Sequence, residues 1–369
     1  MNIRCATMRR LLVSMMLTMV IALSVHGKGI IVIDAVDGDP VIGATVFGNS
    51  GVIKGLTGND GKIIVEATEL PVVIQCIGYE QTIVSSTYDT IKLSPRAYEL
   101  KEVETPTDRP IKRVLCFARE YSSGLVGKDT MQYYCEYMAQ AYISTGKVKG
   151  YRNYDAKPQI MTSKRYARIA KIDIDSVFRP QRDDDITELS WFDFLAFLPN
   201  EKTEAPDAIK KGCETDTVKG KYGPKFIYRK KNGLFTMTCD YLSEHKDRIW
   251  SPLFFKLLGL TTDITMGSWT FSFADNGANT FGLPEFLSGT YNIHLTAKGK
   301  WIKKAFGTKD PIEMDSYLEI YPVEITNMTV DEYKKTRDEC QPLPFQYPDS
   351  IQPLSPAIRN LVERIDRET

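Results

Sequence analysis

The chain has 369 residues, with 47 Lys and Arg against 47 Asp and Glu, so its formal charge at neutral pH is zero. That balance provides no electrostatic steering toward nucleic acid or an anionic lipid surface. The length is enough for a substantial core and predicts two domains.

The first segment reads as an address. Arg4, Arg9 and Arg10 precede the apolar run Leu11 to Leu23, and Ser24 to Gly27 supply small residues suited to a signal peptidase. The run is shorter than the roughly 20 apolar residues that a membrane-spanning helix needs. Residues 1–27 are therefore expected to be a cleaved secretory signal, cut after Gly27 or after Ser24. Removing them takes away three arginines and no acid, which leaves a slight negative excess. No later stretch is long and apolar enough to span a membrane, so no transmembrane segment is expected after cleavage.

Residues 28–104 predict short strands separated by turns. Gly29 to Val36 reads as a strand, Asp37 to Pro40 as a turn, and Ile42 to Phe47 as a second strand. Asn59, Asp60 and Gly61 stand before Ile63 to Ala67, and Asp-Gly between β-rich runs predicts a hairpin. Val72 to Ile77 reads as a buried strand broken by Gly78 and Tyr79, and Thr82 to Ser85 and Thr90 to Leu93 follow. About seven strands in so short a span is the pattern of a β-sandwich.

The order "VIDAVDGDPVIGATV", "TGNDGKIIV", "QCIGYEQ" and "IKLSPRAYELKEV" resembles the carboxypeptidase regulatory-like domain, a prealbumin-like β-sandwich found in Gram-negative envelope proteins. The resemblance implies that Gly43 and Ala44 belong to the strand after the turn, that Asp60 and Gly61 shape a hairpin, and that Gly78 and Tyr79 end a strand. It also implies an exported protein, periplasmic or outer-membrane-associated. The acidic residue that usually follows the threonine in this family is absent, since Gly58 follows Thr57. A sandwich of this type accompanies many partners, so it does not by itself imply peptidase activity. A membrane barrel or TonB-dependent transporter would need several hundred further residues, and neither is expected.

Residues 105–110 read as a linker, and 111–369 as a mainly antiparallel α+β domain. Pro110 followed by Ile111, Val114, Leu115, Ala118 and Tyr121 predicts a helix. Strands are expected within Met131–Ile143, Phe226–Arg229, Phe235–Tyr241, Trp269–Phe273, Tyr291–Ala297 and Ser316–Ile325. Helices are expected at Phe192–Phe197, Ser251–Leu258, Val330–Glu339 and Ala357–Arg367, the last started by Ser355-Pro356. Pro342, Pro344, Pro348 and Pro353 mark an extended surface stretch. The fold class is thus mainly β with some α.

The search for chemistry yields few candidates. No Gly-rich phosphate loop, GxSxG elbow or HExxH is present. Six cysteines remain after cleavage, widely spaced and without a CxxC pair, and are expected to form at most one or two disulfides, with others as buried free thiols. His245, with Glu244 and Asp247, reads as a solvated turn, and His294, alternating with Asn292 and Thr296, as a surface histidine. Asp183 to Asp185 lack the alternate spacing of a calcium loop, so no metal or cofactor is expected. Trp191, Phe192, Asp193 and Trp269 are the candidate binding residues, because aromatic rings beside an acid suit a sugar or peptide. The expected function is a non-enzymatic envelope or secreted protein, with the sandwich as spacer or docking module. Its C-terminal domain would bind an envelope protein, glycan or hydrophobic ligand. The alternatives are a periplasmic carrier of a hydrophobic ligand and a hydrolase with an unrecognised site.

Overall fold

A computed structural model describes residues 28–49, 51, 53–86, 90–96, 109–126, 129–144, 146–151, 158–171, 173–180, 198–199, 202–220, 225–240, 259–306, 308–339, 341–349 and 351–368. The fold is mainly β with some α. The chain forms two compact units. One comprises the residues up to Asn49 with Lys54–Cys76 and Gln81–Ser94, and the other Ser50–Ile53, Ile77–Glu80 and Pro95–Thr369.

The first unit contains two sheets. β1 (Lys28–Asp34) is central to a three-stranded sheet, antiparallel to β4 (Lys62–Val65) and parallel to β7 (Thr90–Leu93). The other sheet has the order β3-β2-β5-β6, from β3 (Ile53–Leu56), β2 (Thr45–Phe47), β5 (Val72–Gln75) and β6 (Thr82–Val84). Alternation drives the arrangement. Ile30 and Val32 of β1, Ile63 and Val65 of β4, and Ile91 and Leu93 of β7 are buried while their neighbours face outward. Burying each such side chain contributes roughly 1.5–3 kcal/mol.

Two turns depart from the sequence expectation. β3 and β4 belong to different sheets, so Asp60 and Gly61 carry the chain from one sheet to the other and do not close a two-stranded hairpin. Gly61 has φ +69°, and a Cβ there would lie 2.4 Å from the Val32 carbonyl oxygen, so the position excludes any side chain. Asp60 accepts from the Lys62 amide at 3.1 Å and pairs with its ammonium at 3.0 Å. Gly43, expected in a strand, occupies a turn before β2 with φ +72°. That turn is held by buried Thr57, whose hydroxyl donates to the Val41 carbonyl and accepts from the Ala44 amide.

The second unit is built on a ten-stranded antiparallel sheet. One meander runs through β8 (Ile111–Val126), β9 (Asp129–Ser144), β10 (Gln159–Ala170) and β11 (Asp175–Phe178). A second runs through β13 (Thr215–Lys219), β14 (Lys225–Lys231), β15 (Leu234–Asp240) and β16 (Leu260–Ala274). β18 (Phe286–Gly299) pairs with β16, and β19 (Ile312–Met328) joins the meanders by pairing with both β18 and β8. β12 (Thr203–Glu204) and β17 (Thr280–Phe281) form a separate two-stranded sheet, whose Phe281 packs into the same core.

The expected helix at Ile111–Tyr121 is the first half of β8. This strand is buried on both faces, so its apolar residues form a near-continuous run that also satisfies helical spacing. Four α-helices occur among the described residues: α1 (Asp207–Lys210), α2 (Lys300–Phe306), α3 (Val330–Thr336) and α4 (Pro356–Glu368). A capping box starts α3, where Thr329 Oγ1 accepts from the Glu332 amide and Glu332 Oε2 from the Thr329 amide. On α4, buried Ile358, Leu361 and Ile365 recur at helical spacing and form its inner stripe. No described helix is long and apolar enough to cross a membrane. The expected signal segment 1–27 and the expected helices at Phe192–Phe197 and Ser251–Leu258 lie outside the described residues.

Candidate functional site

Cross-strand register sorts the large sheet into two chemically different faces, because residues directly opposite each other share a face. On one face the row through the middle of the sheet begins Arg165, Cys135, Glu120, Leu318 on β10, β9, β8 and β19. It continues through Tyr291, Trp269, Cys239 and Phe226 on β18, β16, β15 and β14. This is the aromatic face. Trp269 stands in the same row as Glu120, three strand steps or about 14 Å of sheet width away.

The β13 side of this face is a layer of rings. Phe235, Phe273, Phe281 and Phe286 are buried, and Phe235 stacks on Phe281 with centroids 4.0 Å apart. Phe271 meets Trp269, Phe286 and Tyr291 at 4.6, 5.6 and 6.3 Å. Its ring lies over Gly289, where a Cβ would fall within 3.3 Å of two ring carbons.

The β9 side is polar within an apolar frame. Glu120 is fully buried. Tyr137 donates its hydroxyl to Glu120 Oε2 at 3.2 Å, and Ser122 and Ser316 lie 3.3 and 3.4 Å from Oε1 and 2.7 Å from each other. A buried carboxylate carries a large desolvation cost that neutral hydroxyls offset only in part. Cys135 and Tyr133 flank it along β9. Burial pushes the Cys135 thiol up to about 12 and raises the Tyr133 phenol, so both stay protonated at neutral pH.

The opposite face is crossed by the C-terminal strap, residues 341–349 and 351–355. Leu343, Phe345 and Ile351 pack on Leu115, Phe117, Met138 and Tyr321. Thr162 exchanges two 2.8 Å hydrogen bonds with the Leu343 backbone, and Tyr347 donates to Glu136 at 3.0 Å. Beneath the strap Arg119 Nε donates to Glu319 Oε2 at 2.7 Å, and Arg119 Nη1 to the Gln352 carbonyl at 2.7 Å. Tyr317 and Tyr321 donate to the same Glu319 carboxylate at 2.6 and 2.9 Å. Burial alone would lower the Arg119 pKa, and the Glu319 carboxylate outweighs it, so the guanidinium is held charged. This network fastens the strap.

His294 differs from its expectation. It shares the strap face with Asn292 and Thr296, as the alternation predicts, but it is only 30% exposed and its Nδ1 lies 2.7 Å from Asp315 Oδ1. The Asp315 hydrogen bond raises its pKa. The row runs Ser123, Asp315, His294, with the acid in the middle. A serine nucleophile needs the imidazole next to it, so this order does not make a catalytic triad.

The other sequence candidates are dispersed. Trp269 lies on the aromatic face, partly buried against its core. Gly78 has φ +90°, and Tyr79 forms an isolated bridge with Pro95. Trp191, Phe192 and Asp193, with Asp183 to Asp185, Glu244, His245 and Asp247, lie outside the described residues. Cys76, Cys116, Cys135, Cys213 and Cys239 are free thiols. Among the described residues no group of three or more His, Cys, Asp or Glu side chains is placed to hold a metal ion. Sequence reasoning missed Glu120, Arg119 and Arg165. The one available signal was the charged pair Arg119-Glu120 inside an otherwise apolar run.

No protein-family model matches the chain, and no curated protein matches it. Among solved structures it is similar to a protein provisionally named AttH from Nitrosomonas europaea, at 10% sequence identity over 61% of this chain and with a TM-score of 0.15. The chain spans 57% of that structure's length.

Proposed function

We propose that the protein is a non-enzymatic, exported binding protein of the cell envelope, whose sheet domain holds a ligand with an apolar body and whose N-terminal sandwich is a spacer or docking module. Export is supported by the charged and apolar N-terminal segment, and the regulatory-like character of the sandwich by its motifs.

The observation that carries the ligand reading is the aromatic face, where a layer of rings shares one sheet surface with the buried Glu120 cluster. Ligand sites are mostly apolar with a few placed polar groups, and this face has that composition. The chemistry around Glu120 favours holding over hydrolysis. A cysteine nucleophile needs a depressed pKa, whereas burial pushes Cys135 up to about 12. The partly buried rings of Phe226, Tyr228 and Trp269, at the margin of that core layer, favour a ligand with an apolar body.

The test uses Trp269 as reporter. Titration with a long-chain apolar ligand should change tryptophan emission saturably, and Trp269→Phe should remove most of the change. Emission that stays constant while calorimetry detects binding would place the ligand elsewhere. A hydrophobic-ligand carrier is the second reading, favoured by the same ring layer. It adds release, checked by transfer of the bound ligand to acceptor vesicles.

A further inference from the structure

We infer that the end of the large sheet carrying α2 docks on an anionic membrane surface, with Lys298, Lys300, Lys303, Lys304 and Lys309 meeting the phospholipid head groups. This partner lies beyond the proposed ligand and does not depend on it. The formal neutrality of the whole chain conceals a local excess. Residues 298–309, which lead from β18 to β19, contain five lysines and no acid.

Packing leaves these lysines outside. Ile302 is 2% exposed and belongs to the cluster of Leu295, Ile312 and Met314, so one buried isoleucine seats α2 on the sheet. All five lysines are exposed. Among the described residues none of their ammonium groups has an ion pair or hydrogen bond. Asp263 and Glu313, both opposite Thr296, stand at the same end of the sheet without pairing to them. By contrast, Lys54 meets Glu69 at 2.8 Å, Lys230 meets Asp275 at 3.1 Å and Arg364 meets Asp175 at 3.0 Å. Five like charges without a counter-charge on the protein repel one another, and an anionic surface relieves that repulsion.

The apolar residues at this end favour a membrane over a soluble polyanion. The sequence of α2, KWIKKAF, interleaves its lysines with Trp301 and Phe306, the composition of a segment lying at a membrane interface. Leu125, opposite Glu313 near the end of β8, is 39% exposed. A polyanion in water gains nothing from such residues, whereas the head-group and acyl boundary accepts them. Each lysine close to an anionic leaflet contributes about fivefold in affinity, which makes the attachment reversible and sensitive to salt.

The experiment sediments the protein, purified from its native source, with vesicles of phosphatidylglycerol and phosphatidylcholine in equal parts, and with phosphatidylcholine alone. Binding to the mixed vesicles and not to the neutral ones is expected, and it should fall as salt is raised. Lys303→Gln combined with Lys304→Gln should weaken it by roughly tenfold or more. Lys147→Gln combined with Lys149→Gln removes the same charge from two exposed lysines beyond the far end of β9, and should leave binding nearly unchanged. Equal loss in the two double variants, or no binding to the mixed vesicles, would overturn the assignment. Binding to soluble polyphosphate without binding to the mixed vesicles would give the patch to a polyanion and overturn the membrane reading. The Trp269 titration tests the ligand reading separately, so failure of either is recognised without the other.

Discussion

Arg119 and Glu319 lie directly opposite each other on β8 and β19 and share a 2.7 Å ion pair whose side chains are 7% and 0% exposed. The next residue on β8, Glu120, points to the other face. Two adjacent charges in the sequence thus serve opposite sides of one sheet, one fastening the C-terminal strap and the other anchoring the hydroxyl cluster among the rings.

Breaking the Arg119 pair from one side should be costly. Arg119→Met leaves the Glu319 carboxylate buried without its cation, at about 3–5 kcal/mol. Removing both charges should recover only part of this, since Tyr317 and Tyr321 also donate to Glu319. Denaturant unfolding of the two single variants and the double variant checks the order. A double variant as stable as the unmodified protein would show that the tyrosine hydroxyls contribute little.

Stability should depend on pH through His294. The Asp315 hydrogen bond raises its pKa above the ordinary value of about 6.5. Folding therefore favours the protonated ring. Its contribution is fully present below the ordinary value and is lost as pH rises through the folded one. His294→Gln should flatten the stability profile in that window, and an unchanged slope would exclude the dyad as its source.

Thiol reactivity should follow burial. Cys213 is exposed, while burial raises Cys116 above the ordinary thiol range and Cys135 and Cys239 to about 12. Maleimide should label Cys213 in the native protein and reach the other three only on unfolding. Mass spectrometry of labelled peptides reads this directly. Rapid labelling of Cys135 would mean that the aromatic face opens readily.

The ring layer should be intolerant of added volume at Gly289. A Cβ there meets Phe271 and Ile320 at 3.1–3.3 Å, so Gly289→Val forces the rings apart at roughly 1–3 kcal/mol. Phe281→Ala removes a stacked partner of Phe235 and should cost about 3–5 kcal/mol. Thermal unfolding of the two variants compares overpacking with a cavity in the same layer.

Strand content was legible wherever one face met polar surroundings. β4 and β7 alternate cleanly, and the sequence spans for β9, β15, β18 and β19 fall within or within one residue of the observed strands. Legibility failed for β8, where burial on both faces erases the period of two and lets Ile111, Val114, Leu115 and Ala118 imitate a helix. His294 was placed on the correct face, but its burial depended on Asp315 from the neighbouring strand, a pairing set by register. Glu120, Tyr133 and Arg165 escaped notice for the same reason. They come from three strands, and no local spacing joins them.

The most direct test of a ligand-holding sheet domain is native mass spectrometry of the protein purified from its native source without detergent exchange. The account predicts a retained lipid-sized mass in the unmodified protein. A bare mass in the unmodified protein, together with no uptake of an added long-chain fatty acid or its alcohol, would contradict it.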